Sequence, residues 1–131
     1  MRATGPFDVK MVPQSTDEEP GAALLGRSSL DKRYHGELEA TSRGEMLSAL
    51  TGTKGSAGYV AIERAVGTLA GRRGSFALQH FGVMARGAQR LTIEVVPDSG
   101  TDELSGLGGT MTIEITDGKH FYHFDYTLPS G

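Results

Sequence analysis

Apolar and polar residues alternate along most of this chain, and nineteen glycines in 131 residues break that alternation at short intervals. Side chains with a period of two belong to extended strands that bury one face, and glycines between such runs mark turns, bends and bulges. The pattern predicts an all-β protein. Phe7, Val9 and Met11 alternate with Asp8 and Lys10, which gives a first strand from about Gly5. A second extended stretch runs from Ser28 to His35 and continues past Gly36, with Leu38, Ala40, Ser42, Gly44 and Met46 on one face and Glu37, Glu39, Thr41, Arg43 and Glu45 on the other. Tyr59–Ala70 and Ser75–Phe81 read as a long hairpin, with Gly67, Gly71 and Gly74 permitting curvature. QRLTIEVV and TMTIEIT follow, and an Asp117-Gly118 turn leads into KHFYHFDYTL as the last strand. About eight strands result, the number whose closed antiparallel barrel just fits side chains or one small ligand.

Three segments are expected to be loops. Residues 13–27 hold Pro13, Pro20, Gly21 and the acidic run Asp17, Glu18, Glu19, which suits a solvated loop, and whether it covers the barrel mouth is left open by the sequence. Thr51–Gly58 and Gly82–Ala88 are the other two. The whole chain, 1–131, is read as one domain, the size at which a single core suffices.

Composition excludes several kinds of function. Thirteen basic against sixteen acidic residues leave a formal charge of −3, with no basic block beyond Arg72 and Arg73, so nucleic acid is not an expected partner. No cysteine is present, which removes disulfides, thiolate nucleophiles and zinc–thiolate sites. No apolar run approaches the roughly 20 residues of a membrane helix, and no stretch of signal-peptide length opens the chain, so a soluble, cytoplasmic protein is expected, with no membrane partner. Gly67–Ser75 and Gly106–Thr110 lack the strand–turn–helix setting of phosphate and dinucleotide loops. Asp98, Asp102 and Glu103 miss the ligand spacing of a calcium hand, and the segment around them reads as a turn between Pro97 and Gly106. His120 and His123, three apart on a strand, point to opposite faces and do not make a metal pair. Neither a metal nor a cofactor is expected.

The candidate site comes from strand parity. Taking Arg72-Arg73 as a two-residue turn pairs Gly71 with Gly74 and sets Ala65 across from His80. Tyr59, Ala61 and Glu63 then share a face with Phe76, Leu78 and His80, and Glu63 becomes the diagonal neighbour of His80. A carboxylate beside an imidazole in an apolar barrel is an arrangement that can move a proton. The alternatives are a structural ion pair, or a register slip that turns Glu63 to solvent. On the last strand His120, Tyr122, Tyr126 and Leu128 share the more aromatic face with Phe124, and the two tyrosines either meet a ligand or hydrogen-bond within the core. The expected catalytic pair is therefore Glu63 and His80, with Tyr59, Phe76, Leu78, His120, Tyr122 and Tyr126 contacting the ligand.

GYVAIERAVGTLAGRRGSFALQH, VVPDSGTDELSGLGG and DGKHFYHFDYTL together resemble a bacterial family of unknown function, domain of unknown function number three-two-two-four, over about Gly5 to Leu128. That family is similar in fold to allene oxide cyclase, so the resemblance implies an eight-stranded antiparallel barrel. It implies no established activity and carries no catalytic residue onto this chain. The more distant likeness to cyclase and dirigent-type barrels implies a protein that holds a reactive, mostly apolar small molecule and steers its ring closure or coupling, often as a homo-oligomer. The resulting expectation is a barrel that binds an apolar or aromatic, oxygen-bearing ligand, either as a cofactor-independent isomerase or cyclase or as a non-catalytic carrier or structural barrel.

Overall fold

In the computed structural model, which describes residues 1–17 and 21–129, eight strands form one closed antiparallel barrel in which each strand pairs with its neighbour in sequence and β1 with β8. The strands are β1 Arg2–Asp17, β2 Leu24–Tyr34, β3 Leu38–Leu50, β4 Ala57–Leu69, β5 Arg72–Ala85, β6 Ala88–Val95, β7 Gly108–Thr116 and β8 Lys119–Thr127. Closure leaves every strand two neighbours, and the alternation in the sequence becomes an inner and an outer wall. Leu38, Ala40 and Ser42 on β3, Ala61, Glu63 and Ala65 on β4, and Phe76, Leu78 and His80 on β5 all point inward and are buried. None of the described helical segments is long and apolar enough to cross a membrane.

Several boundaries differ from the sequence reading. Pro13–Asp17 and Leu24–Arg27, expected as loop, extend β1 and β2, with a register shift between Pro13 and Ser15. A bulge of this kind lets a strand carry a proline, which has no N–H to give the ladder. Glu18, Glu19 and Pro20 of the expected loop lie outside the described residues. Gly82–Ala85 belong to β5, and the connection to β6 is only Arg86-Gly87. The central hairpin turns at Ala70-Gly71, not Arg72-Arg73, so that Leu69 pairs with Arg72 and Ala61, rather than Ala65, faces His80. Ala70 and Gly71 both have positive φ, 50° and 83°, the pair of conformations that a two-residue turn needs to match strand twist. The displacement along β4 is an even number of residues, so Glu63 keeps its face and remains diagonal to His80.

The two ends of the barrel differ. At the end carrying the β2–β3 and β4–β5 turns, the segment between β6 and β7 folds back over the opening through a short 3₁₀ turn, Asp102–Leu104, and seats Leu104 and Leu107 in the core. Backbone bonds from Thr101 to Ser75 and from Val96 to Ala77 hold it down. Below this plug lie Leu38, Leu69, Phe76, Leu78, Met111, Tyr122, Phe124 and Tyr126, with Phe76 and Phe124 stacked at 5.7 Å. Toward the other end burial fades along the same inner faces: Phe7 is buried, whereas Val9 and Met11 are 38% and 54% exposed. The β6–β7 ladder is short, joining only Ile93 with Met111 and Glu94 with Thr110. Beyond those pairs the strands part toward the open end.

Alanine in the left-handed region costs roughly 1 kcal/mol, a cost that Gly and Asn largely avoid. Ala70→Gly or Ala70→Asn is expected to raise stability by about 0.5–1 kcal/mol, read as a shift in the urea midpoint at unchanged slope. No shift, or a loss, would contradict the turn geometry.

Candidate functional site

Glu63 projects from the middle of β4 into the barrel and is 1% exposed. Gly44 on β3 lies directly across from it, and a β-carbon there would come within 2.1 Å of the Ile62 carbonyl. The missing side chain lets β3 and β4 approach closely and leaves Glu63 free to reach across β3 to β2. Its Oε1 accepts hydrogen bonds from the Tyr34 hydroxyl and from Ser42 Oγ (3.0 Å). Its Oε2 accepts from Lys32 Nζ and from His80 Nε2, each at 2.6 Å. No buried side-chain nitrogen or oxygen among the described residues is left without a partner.

Burial alone would push the Glu63 carboxyl upward, but the hydrogen bond from His80, the Lys32 charge and the remaining His80 and Lys32 interactions outweigh it and lower the pKa to about 2. Glu63 is therefore ionised at neutral pH, and its charge in turn raises the Tyr34 hydroxyl, whose own burial is the larger cause, well above its ordinary value. Burial chiefly, and Glu63 second, raise Tyr59. An ionised carboxylate only accepts hydrogen bonds, so His80 Nε2 carries a proton. His80 Nδ1 has no partner among the described residues. Since none of their buried polar atoms is orphaned, Nδ1 keeps some accessible surface, and the cavity that His80 lines is where it finds it.

That cavity, about 360 Å³, occupies the open half of the barrel. Its polar lining comes from Lys32, Tyr59, His80, Gln89 and His120, and its apolar walls from Phe7, Leu30, Met46, Leu91 and Ile113 among others. Leu91 and Ile113 stand where β6 and β7 part, so the cavity reaches the gap in the wall. An adjoining space of about 330 Å³ shares Met46, Tyr59 and Gln89 and runs to the rim at Met11, Leu50 and Met84. Tyr59 stands between the two. Its ring lies across Gly82 on β5, where an added β-carbon would meet Tyr59 Cε1 at 2.3 Å. A larger depression, about 790 Å³, lies on the outer wall beside Leu47, Val60 and Ile62 and is lined by none of the buried ionisable side chains.

The structure thus brings Glu63, His80, Tyr59 and His120 together at or just beneath one cavity. Phe76, Leu78, Tyr122 and Tyr126, expected at the ligand, sit instead in the packed half, because Leu104 and Leu107 fill the space that the sequence leaves open above them. Tyr122 has the structural role: its hydroxyl donates to the His35 carbonyl at 2.7 Å and accepts from the Leu38 amide at 3.0 Å, which ties the β2–β3 turn to β8. Lys32, Tyr34 and Ser42 are site residues that the sequence reading missed. Their signal was parity, since Lys32 falls between Leu30 and Tyr34 on the inward face of β2. Among the described residues no three His, Asp or Glu side chains converge as a metal shell, and His123 pairs outside the barrel with Glu114.

Residues 3–126 match a protein-family model described as a protein of unknown function, DUF3224. No curated protein matches the chain. Among solved structures, a protein of unknown function from the DUF3224 family of Shewanella oneidensis MR-1 is 56% identical. The match covers 99% of this chain and 98% of that one, with a TM-score of 0.94.

The stability that Glu63 contributes is fully present above its unfolded-state pKa, near 4.5, and is lost as pH falls toward 2. Urea unfolding of the native sequence should weaken across that window. Glu63→Gln should cost about 3–5 kcal/mol at neutral pH, by leaving the Lys32 ammonium buried and unpaired, and should flatten the acid dependence. Equal acid sensitivity in both proteins would place the ionised carboxylate elsewhere.

Proposed function

The chain belongs to the DUF3224 family, whose description names no activity, and we propose from the site itself that it binds an apolar or aromatic, oxygen-bearing small molecule in the open half of the barrel. The single observation that carries this reading is an apolar-walled cavity of about 360 Å³ whose floor holds His80, hydrogen-bonded at 2.6 Å to a buried carboxylate. Ligand sites of this size combine apolar walls with a few placed polar groups. We further propose cofactor-independent proton transfer, of the kind that drives isomerisation or ring closure.

The roles within the pair are unequal. Glu63 is engaged by four donors and holds its charge down to strongly acidic pH, so it is a poor proton carrier and a good anchor. It fixes the tautomer of His80 and stabilises the imidazolium that forms when Nδ1 takes a proton from a ligand. Tyr59 and the apolar walls hold the ligand's shape against that nitrogen. A carrier would need the cavity but not the His80–Glu63 geometry, which is the observation favouring chemistry.

Self-association belongs to the same proposal. Leu47, Val60 and Phe81 form a row across β3, β4 and β5 on the outer wall, with Ile62 beside it, each about half exposed. Arg27 and Glu45 border this strip and pair with each other at 3.5 Å, an exposed charge pair that two copies of the same face can exchange. Sedimentation should show a dimer or larger assembly that Ile62→Lys shifts toward monomer, and a monomeric native chain would end that part of the reading.

Native mass spectrometry should find a small-molecule adduct on the purified chain that is absent from Leu91→Trp, which fills the cavity. His80→Ala should keep the adduct and lower turnover of that molecule by 10²–10⁴-fold, the usual share of general acid–base catalysis. An adduct that is retained but never converted by the native protein would leave a carrier.

A further inference from the structure

We propose that the cavity floor receives an ionisable oxygen, that of a phenol or of an enolisable carbonyl compound, and holds it as an oxyanion against the Lys32 ammonium while His80 Nδ1 takes the proton. The inference rests on the ligand-binding reading above and narrows the ligand's chemistry.

Lys32 is the unusual member of the site. Its side chain is 6% exposed, yet it lines the cavity, and of its N–H donors one is given to Glu63 Oε2. Its other donors have no oxygen partner among the described residues; the rings of Phe7 and Tyr34 stand 5.5 and 5.9 Å from Nζ. A buried ammonium with unspent donors, facing a cavity, is a receptor for an acceptor oxygen, and a charged acceptor gives the stronger bond. Lys32 Nζ and His80 Nε2 approach the same carboxylate oxygen, so cation and imidazole converge on one end of a ligand. Among the described residues no carboxylate lines the cavity, because Glu63 lies behind both groups.

Charge accounting separates a neutral acid from a ready-made anion. A carboxylate ligand would add a net negative charge to a poorly solvated space next to Glu63. A phenol or enolisable ketone enters neutral. Its O–H or C–H bond breaks, the electron pair stays on the ligand and settles on oxygen, and the proton bonds to His80 Nδ1. Oxyanion then faces Lys32, imidazolium faces Glu63, and the net charge of the site is unchanged. Among the described residues the ionisable groups around His80 are Lys32 and Tyr34 from β2, Glu63 and Tyr59 from β4, and His120 from β8, whose ring packs on Phe7 at 5.3 Å.

The test adds 4-nitrophenol to the full chain below the pH at which the free probe ionises, with 4-nitroanisole, which has no acidic proton, as the neutral control. The expected result is the nitrophenolate absorption band on the bound probe. The bound phenolate fraction should fall at least ten-fold in His80→Ala and in Lys32→Met, and should survive in Lys32→Arg. Lys32→Met/Glu63→Gln, which buries no unpaired charge, replaces the single variant if that fails to fold, and it should bind nitrophenol in its neutral form. A native protein that binds nitrophenol with an unshifted neutral spectrum overturns the oxyanion assignment, and nitroanisole binding in the same experiment leaves the cavity reading standing. If neither probe displaces the imidazole resonances of His80 or His120, both are overturned.

Discussion

One buried carboxylate ties four neighbouring strands together. Glu63 on β4 takes hydrogen bonds from Lys32 and Tyr34 on β2, Ser42 on β3 and His80 on β5. Burying such a charge costs several kcal/mol in lost hydration, and the hydrogen bonds and charges of His80 and Lys32 offset that cost. A slip of one residue in any of these ladders would turn an ionic side chain outward, and a slip of two would carry it roughly 7 Å from its partners. The cluster therefore sets register across half of the barrel as well as forming the floor of the cavity. The apolar alternation specifies only which face points inward.

The barrel divides its interior between two tasks. In the plugged half, aromatic rings and two loop leucines pack to exclude solvent, and the buried Tyr122 hydroxyl is satisfied by backbone. In the open half, inward positions such as Ala61 and Met46 carry smaller or unbranched side chains and line the cavity, while the bare α-carbon of Gly82 makes room for the Tyr59 ring. Glu63 lies at the boundary, where the packed half holds His80 at the floor of the open half's cavity. Preorganisation of this kind lets a short list of polar groups act without moving.

Much of this was legible in the sequence, and the rest was hidden for definite reasons. Period-two alternation gave eight strands, and parity put Glu63 and His80 on one face even though the turn between their strands was displaced. Parity is preserved by any even shift, which is why the diagonal contact survived. Lys32 and Tyr34 also obey parity, but β3 stands between β2 and β4, and their reach to Glu63 depends on strand tilt and on the bare α-carbon of Gly44. Leu104 and Leu107 were invisible as core because a folded-back loop has no period to read. Without that plug, the sequence could not show that Phe76, Leu78, Tyr122 and Tyr126 would be sealed away from the cavity.

The two-pair ladder between β6 and β7 has a consequence for how this molecule lives in solution. A closed barrel is meant to abolish free edges, yet here the backbone beyond the Ile93–Met111 and Glu94–Thr110 pairs lies outside the seam. The backbone groups of 88–92 and 112–116 that face this seam, rather than β5 or β8, have no ladder partner across it, which makes this the natural place for the wall to breathe. Such an opening would serve passage of a small molecule. It would also leave the chain one locally unfolded step from accepting a foreign strand.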